Sequence, residues 1–122
     1  MSTTTTTHTV FDVAAFRCAL EDLDGQAVGA LVTDDFERTE IDQLTPPTAP
    51  AVVRGRDANV AAVDDLRARG VKLHAEEPVV DGDRFAMLCR CKLPDGRDIV
   101  GIAIGETRDG LLARWTEVQA WN

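Results

Sequence analysis

Three charged residues near position 40 have the types and the spacing needed to move a proton. Glu40 and Asp42 stand two positions apart in a segment, 36–42, that we predict to be a short strand, and Arg38 has the same parity. Alternate residues of a strand point to the same face, so two carboxylates and a guanidinium would converge there. Such a group positions a substrate and transfers a proton. We predict Glu40 and Asp42 as catalytic residues and Arg38 as a substrate-binding residue; the alternative is a solvated, charged strand edge.

A third carboxylate, Glu117, has the same parity as Trp115 and Trp121 on the last predicted strand. We therefore expect its side chain to point into the same pocket. Burial beside an indole ring disfavours the charged form of a carboxyl group, which suits a general acid or base near neutral pH. We predict Glu117 as catalytic. In the alternative interpretation the last strand frays, and Glu117 meets water or pairs with an arginine.

Apolar and aromatic side chains supply the predicted walls of the pocket. Besides Arg38, the residues predicted to bind substrate are Phe16, Met87, Cys89, Trp115 and Trp121. The chain has only two tryptophans and no tyrosine. An aromatic wall stacks on a flat ligand, although an ordinary core uses tryptophan as well.

The cysteines form no metal or disulfide motif. Cys18, Cys89 and Cys91 are odd in number and lack C-x-x-C spacing, and the only histidines, His8 and His74, lie far from them in sequence. A structural zinc site needs four close nitrogen or sulfur ligands. The chain also lacks a glycine-rich phosphate loop, a nucleophile elbow and an H-E-x-x-H segment. We predict no metal, no cofactor, and three reduced, mostly buried thiols.

Composition and charge restrict the partners. The 122 residues suffice for one domain with its own core, and 44% of them are hydrophobic. The net charge of −8 argues against nucleic acid and anionic membrane surfaces as partners, because these need clustered cations. No apolar run approaches the roughly 20 residues of a membrane span, and the threonine-rich start lacks the features of a signal peptide. We predict a cytoplasmic protein that binds a small molecule.

Hydrophobic periodicity and capping residues predict three helices before residue 70. Thr9 opens the first helix with Asp12 as its capping partner, and Asp24 caps the second. Three closely spaced prolines require a loop after the first strand, since proline fixes φ and has no N–H. The predicted segments are a tail at 1–8, helices at 10–23 and 25–32, a strand at 36–42, a loop at 45–50 and a helix at 57–70.

The remaining residues predict four strands of about 11 residues each. They are separated by Asp81-Gly82, Asp95-Gly96 and Asp109-Gly110, each a favoured pair for a two-residue hairpin. Strands of this length twist and curve. We predict an α+β fold, with a single domain over 9–122 in which a curved antiparallel sheet wraps around the three helices.

Strand parity divides the side chains of this sheet between two faces. The inner face, which we place against the helices, carries Phe85, Met87, Cys89, Cys91, Ile99, Gly101, Ala103, Gly105, Ala113 and Trp115. Its small residues at 101, 103 and 105 predict either a closely packed helix or a cavity.

The outer face is too apolar for free solvent. It carries Leu88, Val100, Ile102 and Ile104, and we predict that a homodimer covers it by packing sheet on sheet. His74 is expected to point outward, because its neighbour Leu73 fits the inner face.

The chain resembles the nuclear-transport-factor-2-like superfamily, in particular its SnoaL-like polyketide cyclase and ketosteroid isomerase branch. The residues that carry this resemblance form five segments: 20–25 (LEDLDG), 30–36 (ALVTDDF), 54–58 (RGRDA), 81–86 (DGDRFA) and 109–112 (DGLL). The resemblance implies a cone-shaped sheet around a pocket and places Glu40 where ketosteroid isomerases have their base. Their two oxyanion donors would fall at Phe16 and Gly105, whose side chains cannot donate a proton.

These observations predict a cofactor-independent isomerase or cyclase acting on a small apolar or polyketide-like molecule, with the reaction class resting on the resemblance. Two alternatives stay open. One is epoxide opening during ether-ring formation or hydrolysis, which also uses two opposed carboxylates. The other is a non-catalytic ligand-binding or dimerisation module, since this fold hosts both enzymes and binding domains.

Overall fold

Three helices and seven strands make up residues 10–122, the part of the chain described by this computed structural model. The helices are α1 (Val13–Glu21), α2 (Gly25–Gly29) and α3 (Arg56–Ala68). The strands are β1 (Val32–Ile41), β2 (Ala51–Arg54), β3 (Lys72–Ala75), β4 (Val79–Asp81), β5 (Arg84–Lys92), β6 (Asp98–Arg108) and β7 (Leu111–Trp121). The predicted α+β class is confirmed, whereas the predicted tail at 1–8 and the cap at Thr9 lie outside the described residues.

Capping carboxylates fix the starts of the first two helices. Asp12 and Asp24 each accept a hydrogen bond from the backbone N–H three residues on, at 2.9 and 3.2 Å. Because Asp12 is the N-cap, α1 begins at Val13, later than predicted. Val32 was predicted in the second helix, but it pairs with Leu112 and begins β1.

The strands form one sheet in the order β2-β1-β7-β6-β5-β3, with β4 also paired to β5. Neighbouring strands are antiparallel except for β1 and β7, which run parallel, so the all-antiparallel prediction is wrong at this pair. The short strand β2 was not predicted; it pairs with β1 directly after the proline-rich loop. The first predicted long strand is divided into β3 and β4 at 76–78, where Pro78 has no N–H to donate.

Only one of the three Asp-Gly pairs forms the predicted two-residue turn. Asp109 and Gly110 connect paired residues of β6 and β7 with φ angles of 53° and 80°, the positive values that a type I′ turn requires. The first connection is shifted by one residue to 82–83, and the second is a five-residue loop over 93–97. Glycine supplies the positive φ in these two loops as well.

A β-bulge near the start of β7 corrects the predicted parity. Glu106 pairs with Arg114 and Thr107 pairs with Leu112, so Ala113 is the extra residue on β7. Leu112 is consequently fully buried, although simple alternation placed it on the outer face. The core also contains a cluster of four aromatic rings in which Phe16 and Phe85 contact each other and both Phe11 and Trp115.

The outer sheet face leaves large apolar side chains in solvent. Ile102, Ile104 and Val118 are 60%, 44% and 55% exposed, and Val79 extends the patch at the sheet edge. We call these four residues the outer patch. His74 is also exposed, as predicted, and its Nδ1 lies 2.8 Å from Oε2 of Glu21.

Candidate functional site

A cavity of about 490 Å³ opens between the inner sheet face and the helices. This volume falls within the range of roughly 300–1,000 Å³ that is typical of small-molecule sites. Its walls are mainly apolar, and several of their residues were not assigned to a site from the sequence: Leu23, Val63, Leu66, Val71, Leu73 and Ile99. Parity puts Leu73 and Ile99 on the inner face, but the other four belong to a helix or to connecting segments. No pattern within one strand therefore indicates that all six share a wall.

Two carboxylates face each other in the sheet wall of this cavity. Glu40 of β1 and Glu117 of β7 are direct partners in the parallel ladder, and we call them the acid pair. Gln119 Nε2 donates hydrogen bonds to Glu40 Oε1 at 2.9 Å and to Glu117 Oε2 at 2.7 Å. Since both oxygens contact one nitrogen, they lie within about 5.6 Å of each other. Two like charges directly opposite each other in a sheet destabilise it. Such a departure from the pairing that favours stability is expected at a functional site.

Glu117 is held on both of its carboxylate oxygens. The residue is only 6% exposed, and Oε1 accepts a hydrogen bond from Trp115 Nε1 at 2.9 Å. Space for the carboxylate exists because residue 101 is glycine: a Cβ there would collide with Glu117 Oε2 and lie 3.0 Å from its Cδ. A close helix and an open cavity were the predicted explanations for the small residues of β6. Both are wrong at Gly101, where Glu117 fills the space, and at Gly105, where the Phe85 ring does.

Glu40 keeps one oxygen free. Arg38 Nη2 pairs with Glu40 Oε1, the same oxygen that Gln119 contacts. Within residues 10–122, no hydrogen bond reaches Glu40 Oε2. Burial raises the pKa of Glu40, Arg38 offsets part of this rise, and the charges of Glu117 and Asp42 add to it. A free carboxyl oxygen with a raised pKa at a cavity wall is the arrangement expected of a general acid or base.

Asp42 reaches the cavity rim, but its carboxylate holds the adjoining loop. Its Oδ1 accepts hydrogen bonds from the backbone N–H of Leu44 and Thr45 at 2.8 and 2.9 Å, and from Thr45 Oγ1 at 3.0 Å. Burial opposes the ionisation of Asp42, but these hydrogen bonds prevail and lower its pKa. The geometry therefore favours a structural part for Asp42, whereas the sequence suggested a catalytic one.

Most of the residues predicted to bind substrate line the cavity: Phe16, Arg38, Cys89, Trp115 and Trp121. Met87 does not, because it is fully buried in the core cluster, paired with Ala103 farther along β5. Its parity correctly gave the inner face, but parity does not tell how far along the strand the cavity extends.

Two of the three thiols lie in the cavity wall. Burial raises the pKa of Cys89 to about 12 and that of Cys91 to about 11, so both are protonated at neutral pH and poorly nucleophilic. The expectation that the three thiols are mostly buried holds fully only for Cys89, because Cys91 is half-buried and Cys18 is exposed.

Gln119 is a further site residue that the sequence analysis missed, and it is the one that contacts both members of the acid pair. Its Nε2 connects the acid pair, and its Oε1 accepts a hydrogen bond from Trp121 Nε1 at 3.2 Å. The parity argument that selected Glu117 also puts Gln119 on the inner face. It was passed over because an amide has no titratable group and no characteristic motif surrounds it.

Residues 10–122 contain neither a metal-binding cluster nor a membrane-spanning helix. No group of three or more His, Cys, Asp or Glu side chains in this part of the chain is arranged to hold a metal ion. None of its helices has the length and apolar character needed to cross a membrane.

Comparison with known proteins gives structural neighbours only, since no protein-family model and no curated protein sequence matches this chain. A nuclear-transport-factor-2-like protein of unknown function from Mesorhizobium loti superposes with a TM-score of 0.74 at 22% identity, over 85% of this chain and 84% of that one. An LEH-like epoxide hydrolase of M. tuberculosis gives 0.66 at 18% identity, over 88% and 78%. A protein with a ketosteroid isomerase-like fold from Catenulispora acidiphila, crystallised with trimethylamine, gives 0.65 at 17% identity, over 86% and 82%. The chain therefore has the nuclear-transport-factor-2-like fold.

Proposed function

We propose that this protein is a small-molecule isomerase or cyclase that works by acid/base catalysis without a cofactor, on a mainly apolar, polyketide-like substrate. One observation carries the proposal: a carboxyl oxygen that has no hydrogen-bond partner among residues 10–122, Glu40 Oε2, belongs to a residue in the wall of an apolar cavity of about 490 Å³. Both the raised pKa of Glu40 and the opposing carboxylate of Glu117 support proton transfer at this position.

Glu40 and the two charged residues beside it have different roles in the proposed reaction. Glu40 takes a proton from a carbon next to a substrate carbonyl and returns it at a second carbon, so that the double bond moves and Glu40 is regenerated. Arg38 contacts Glu40 and lines the cavity, where its guanidinium can bind the substrate oxygen as negative charge develops on it. Burial raises the pKa of Glu40, and the charge of Glu117 adds to this rise. As a base, Glu40 must be ionised, so the rate rises as the pH increases through its pKa.

The test uses 3-cyclohexen-1-one as a probe, with its conversion to the conjugated ketone followed by ultraviolet absorbance. We expect the wild-type protein to accelerate the reaction and Glu40→Gln to lose about 100-fold in rate. The control is Glu37→Gln, which makes the same change on the same strand at a residue that pairs with Arg54 outside the cavity. If Glu40→Gln isomerises the probe at the wild-type rate, Glu40 is not the base.

Epoxide opening is the second candidate activity, and the similarity to an LEH-like epoxide hydrolase favours it at the level of the fold. One carboxyl group would protonate the epoxide oxygen while the other takes the proton of the attacking hydroxyl or water. The same variants incubated with cyclohexene oxide distinguish the reactions, since diol formation that depends on Glu40 would support hydrolysis. If both probes bind without reacting, the remaining candidate is the ligand-binding module.

We further propose that the protein is a homodimer formed through the outer patch. Ile102 and Val118 are cross-strand partners at its centre, and more than half of each side chain is exposed in the single chain. Contiguous apolar surface of this kind on a sheet is typical of a face that meets a second protein surface.

A further inference from the structure

We propose that Gln119 is a positioning residue: it gives the two carboxylates of the acid pair different tasks, fixing Glu117 as a hydrogen-bonded acceptor and presenting Glu40 Oε2 to the substrate. This inference rests on the proposed acid/base function. It is carried by the geometry of one side-chain amide that contacts both carboxylates.

The donor count at Gln119 matches the two acceptors. Its Nε2 carries two N–H groups, and the two contacts at 2.7 and 2.9 Å use one for each carboxylate. An acid at this position would add a third carboxylate to the pair. An apolar residue of the same length would leave Glu117 Oε2 without a donor, which is costly for a buried carboxylate, and would leave Glu40 Oε1 with Arg38 alone.

Trp121 fixes which way the amide faces. Its indole Nε1 can only donate, and it contacts Gln119 Oε1 at 3.2 Å. If the amide turned over, its oxygen would face the two carboxylates and its nitrogen would face the indole N–H, so both sides would lose their hydrogen bonds. The C-terminal end of β7 thus holds the amide in the orientation that the acid pair requires.

The two carboxylates become unequal as a result. On Glu117, each oxygen already accepts a hydrogen bond from a protein donor, Oε1 from Trp115 and Oε2 from Gln119. On Glu40, Arg38 and Gln119 both contact Oε1, and no hydrogen bond from the described part of the chain reaches Oε2. The sequence analysis predicts both members of the acid pair as catalytic, whereas this geometry assigns the moving proton to Glu40.

The test compares Gln119→Met with Gln43→Met. The first change removes the shared donor at nearly constant length. The second is its matched control, because Gln43 donates to the backbone oxygen of Trp121 at 3.1 Å and does not contact the acid pair. The titration of Glu40 is followed by carbon-13 NMR of its carboxyl group. A hydrogen bond donated to a carboxylate favours its charged form, so we expect Gln119→Met to move the Glu40 midpoint up by about one pH unit and Gln43→Met to leave it unchanged.

A second variant keeps the proposal testable if Gln119→Met does not fold. Trp121→Phe retains the amide but removes the donor that orients it, and we expect a smaller shift in the same direction. The proposal is overturned if a folded Gln119→Met protein titrates like the wild type, or if Gln43→Met shifts Glu40 equally.

These readouts separate the positioning role from the proposed activity. If Glu40 shifts as expected but no probe reacts, Gln119 orders the pair and the proposed catalysis is wrong. If the probe reacts and its pH–rate profile is the same in Gln119→Met and wild type, the catalysis stands and the positioning role is wrong.

Discussion

Arg38 and Glu117 act on Glu40 in opposite directions. Burial is the largest cause of the raised pKa of Glu40; the guanidinium of Arg38 lowers it and the carboxylate of Glu117 raises it. The site therefore contains two charges, and removing one or the other should shift the pKa of Glu40 in opposite directions. This makes the electrostatics of the acid pair measurable without a substrate.

We expect Glu117→Gln to lower the pKa of Glu40 and Arg38→Met to raise it, relative to the wild type. The first change removes a like charge that disfavours ionisation, and the second removes an opposite charge that favours it. If Glu40 is the catalytic base, the acid limb of the pH–rate profile moves to lower pH in Glu117→Gln and to higher pH in Arg38→Met. Carbon-13 NMR of the Glu40 carboxyl group measures the shifts, and movement in the same direction in both variants would contradict this account.

At the level of single residues, the sequence predicted which sheet face a side chain lies on better than it predicted the hydrogen bonds that the side chain makes. Alternation along β7 puts Glu117 and Trp115 on the inner face, where the structure has them. Alternation does not reveal that both oxygens of Glu117 are occupied, because one donor, Gln119, was not considered and the hydrogen bonds depend on side-chain rotamers. Similarly, Asp42 has the parity of Glu40, but its carboxylate is taken up by its own loop.

Among the elements, β6 determines how the sheet wall is filled. Gly101 and Gly105 lie on its inner face, and each leaves room for a side chain of a neighbouring strand: Glu117 at the first and Phe85 at the second. Two glycines of one strand thus serve different purposes, since one accommodates the acid pair and the other the aromatic core.

Replacing each glycine by alanine should separate these purposes. Both Gly101→Ala and Gly105→Ala force an added Cβ into occupied space, and we expect each to lower the free energy of unfolding by about 1–3 kcal/mol. Only Gly101→Ala should also shift the side-chain amide resonances of Gln119, because it displaces the carboxylate that this amide contacts. Denaturant unfolding and NMR measure the two effects, and an equal amide shift in Gly105→Ala would refute the assignment.

The elements themselves were largely predictable, and the failures have physical reasons. Capping by Asp24 and the turn at Asp109-Gly110 are local, so the sequence indicates them directly. At the first helix the sequence suggested Thr9 with Asp12 as its partner, whereas Asp12 itself is the N-cap. The bulge at Ala113 is not local, since it depends on how β6 and β7 align along their length. The parallel pairing of β1 and β7 joins distant parts of the chain, and no short-range pattern reports it.

For the whole molecule, the outer patch leads to a prediction about assembly. We expect the wild-type chain to sediment as a dimer and Ile102→Lys to sediment as a monomer, because a charge in the centre of an apolar interface is costly to bury. The control is Val10→Lys, which changes an equally apolar residue that is 81% exposed and lies outside the sheet. Sedimentation equilibrium distinguishes these states, and a monomeric wild type or a monomeric Val10→Lys would contradict the proposed interface.

The parallel pairing of β1 with β7 also affects the order in which the protein assembles. The hairpin between β6 and β7 closes a two-residue turn, whereas the hydrogen bond between Gln119 and Glu40 joins residues 79 positions apart. Closing the longer loop costs more chain entropy, and long-range pairings of this kind slow folding. The acid pair thus depends on one of the slower contacts of the chain. In refolding, recovery of its hydrogen bonds should lag behind recovery of β-sheet content.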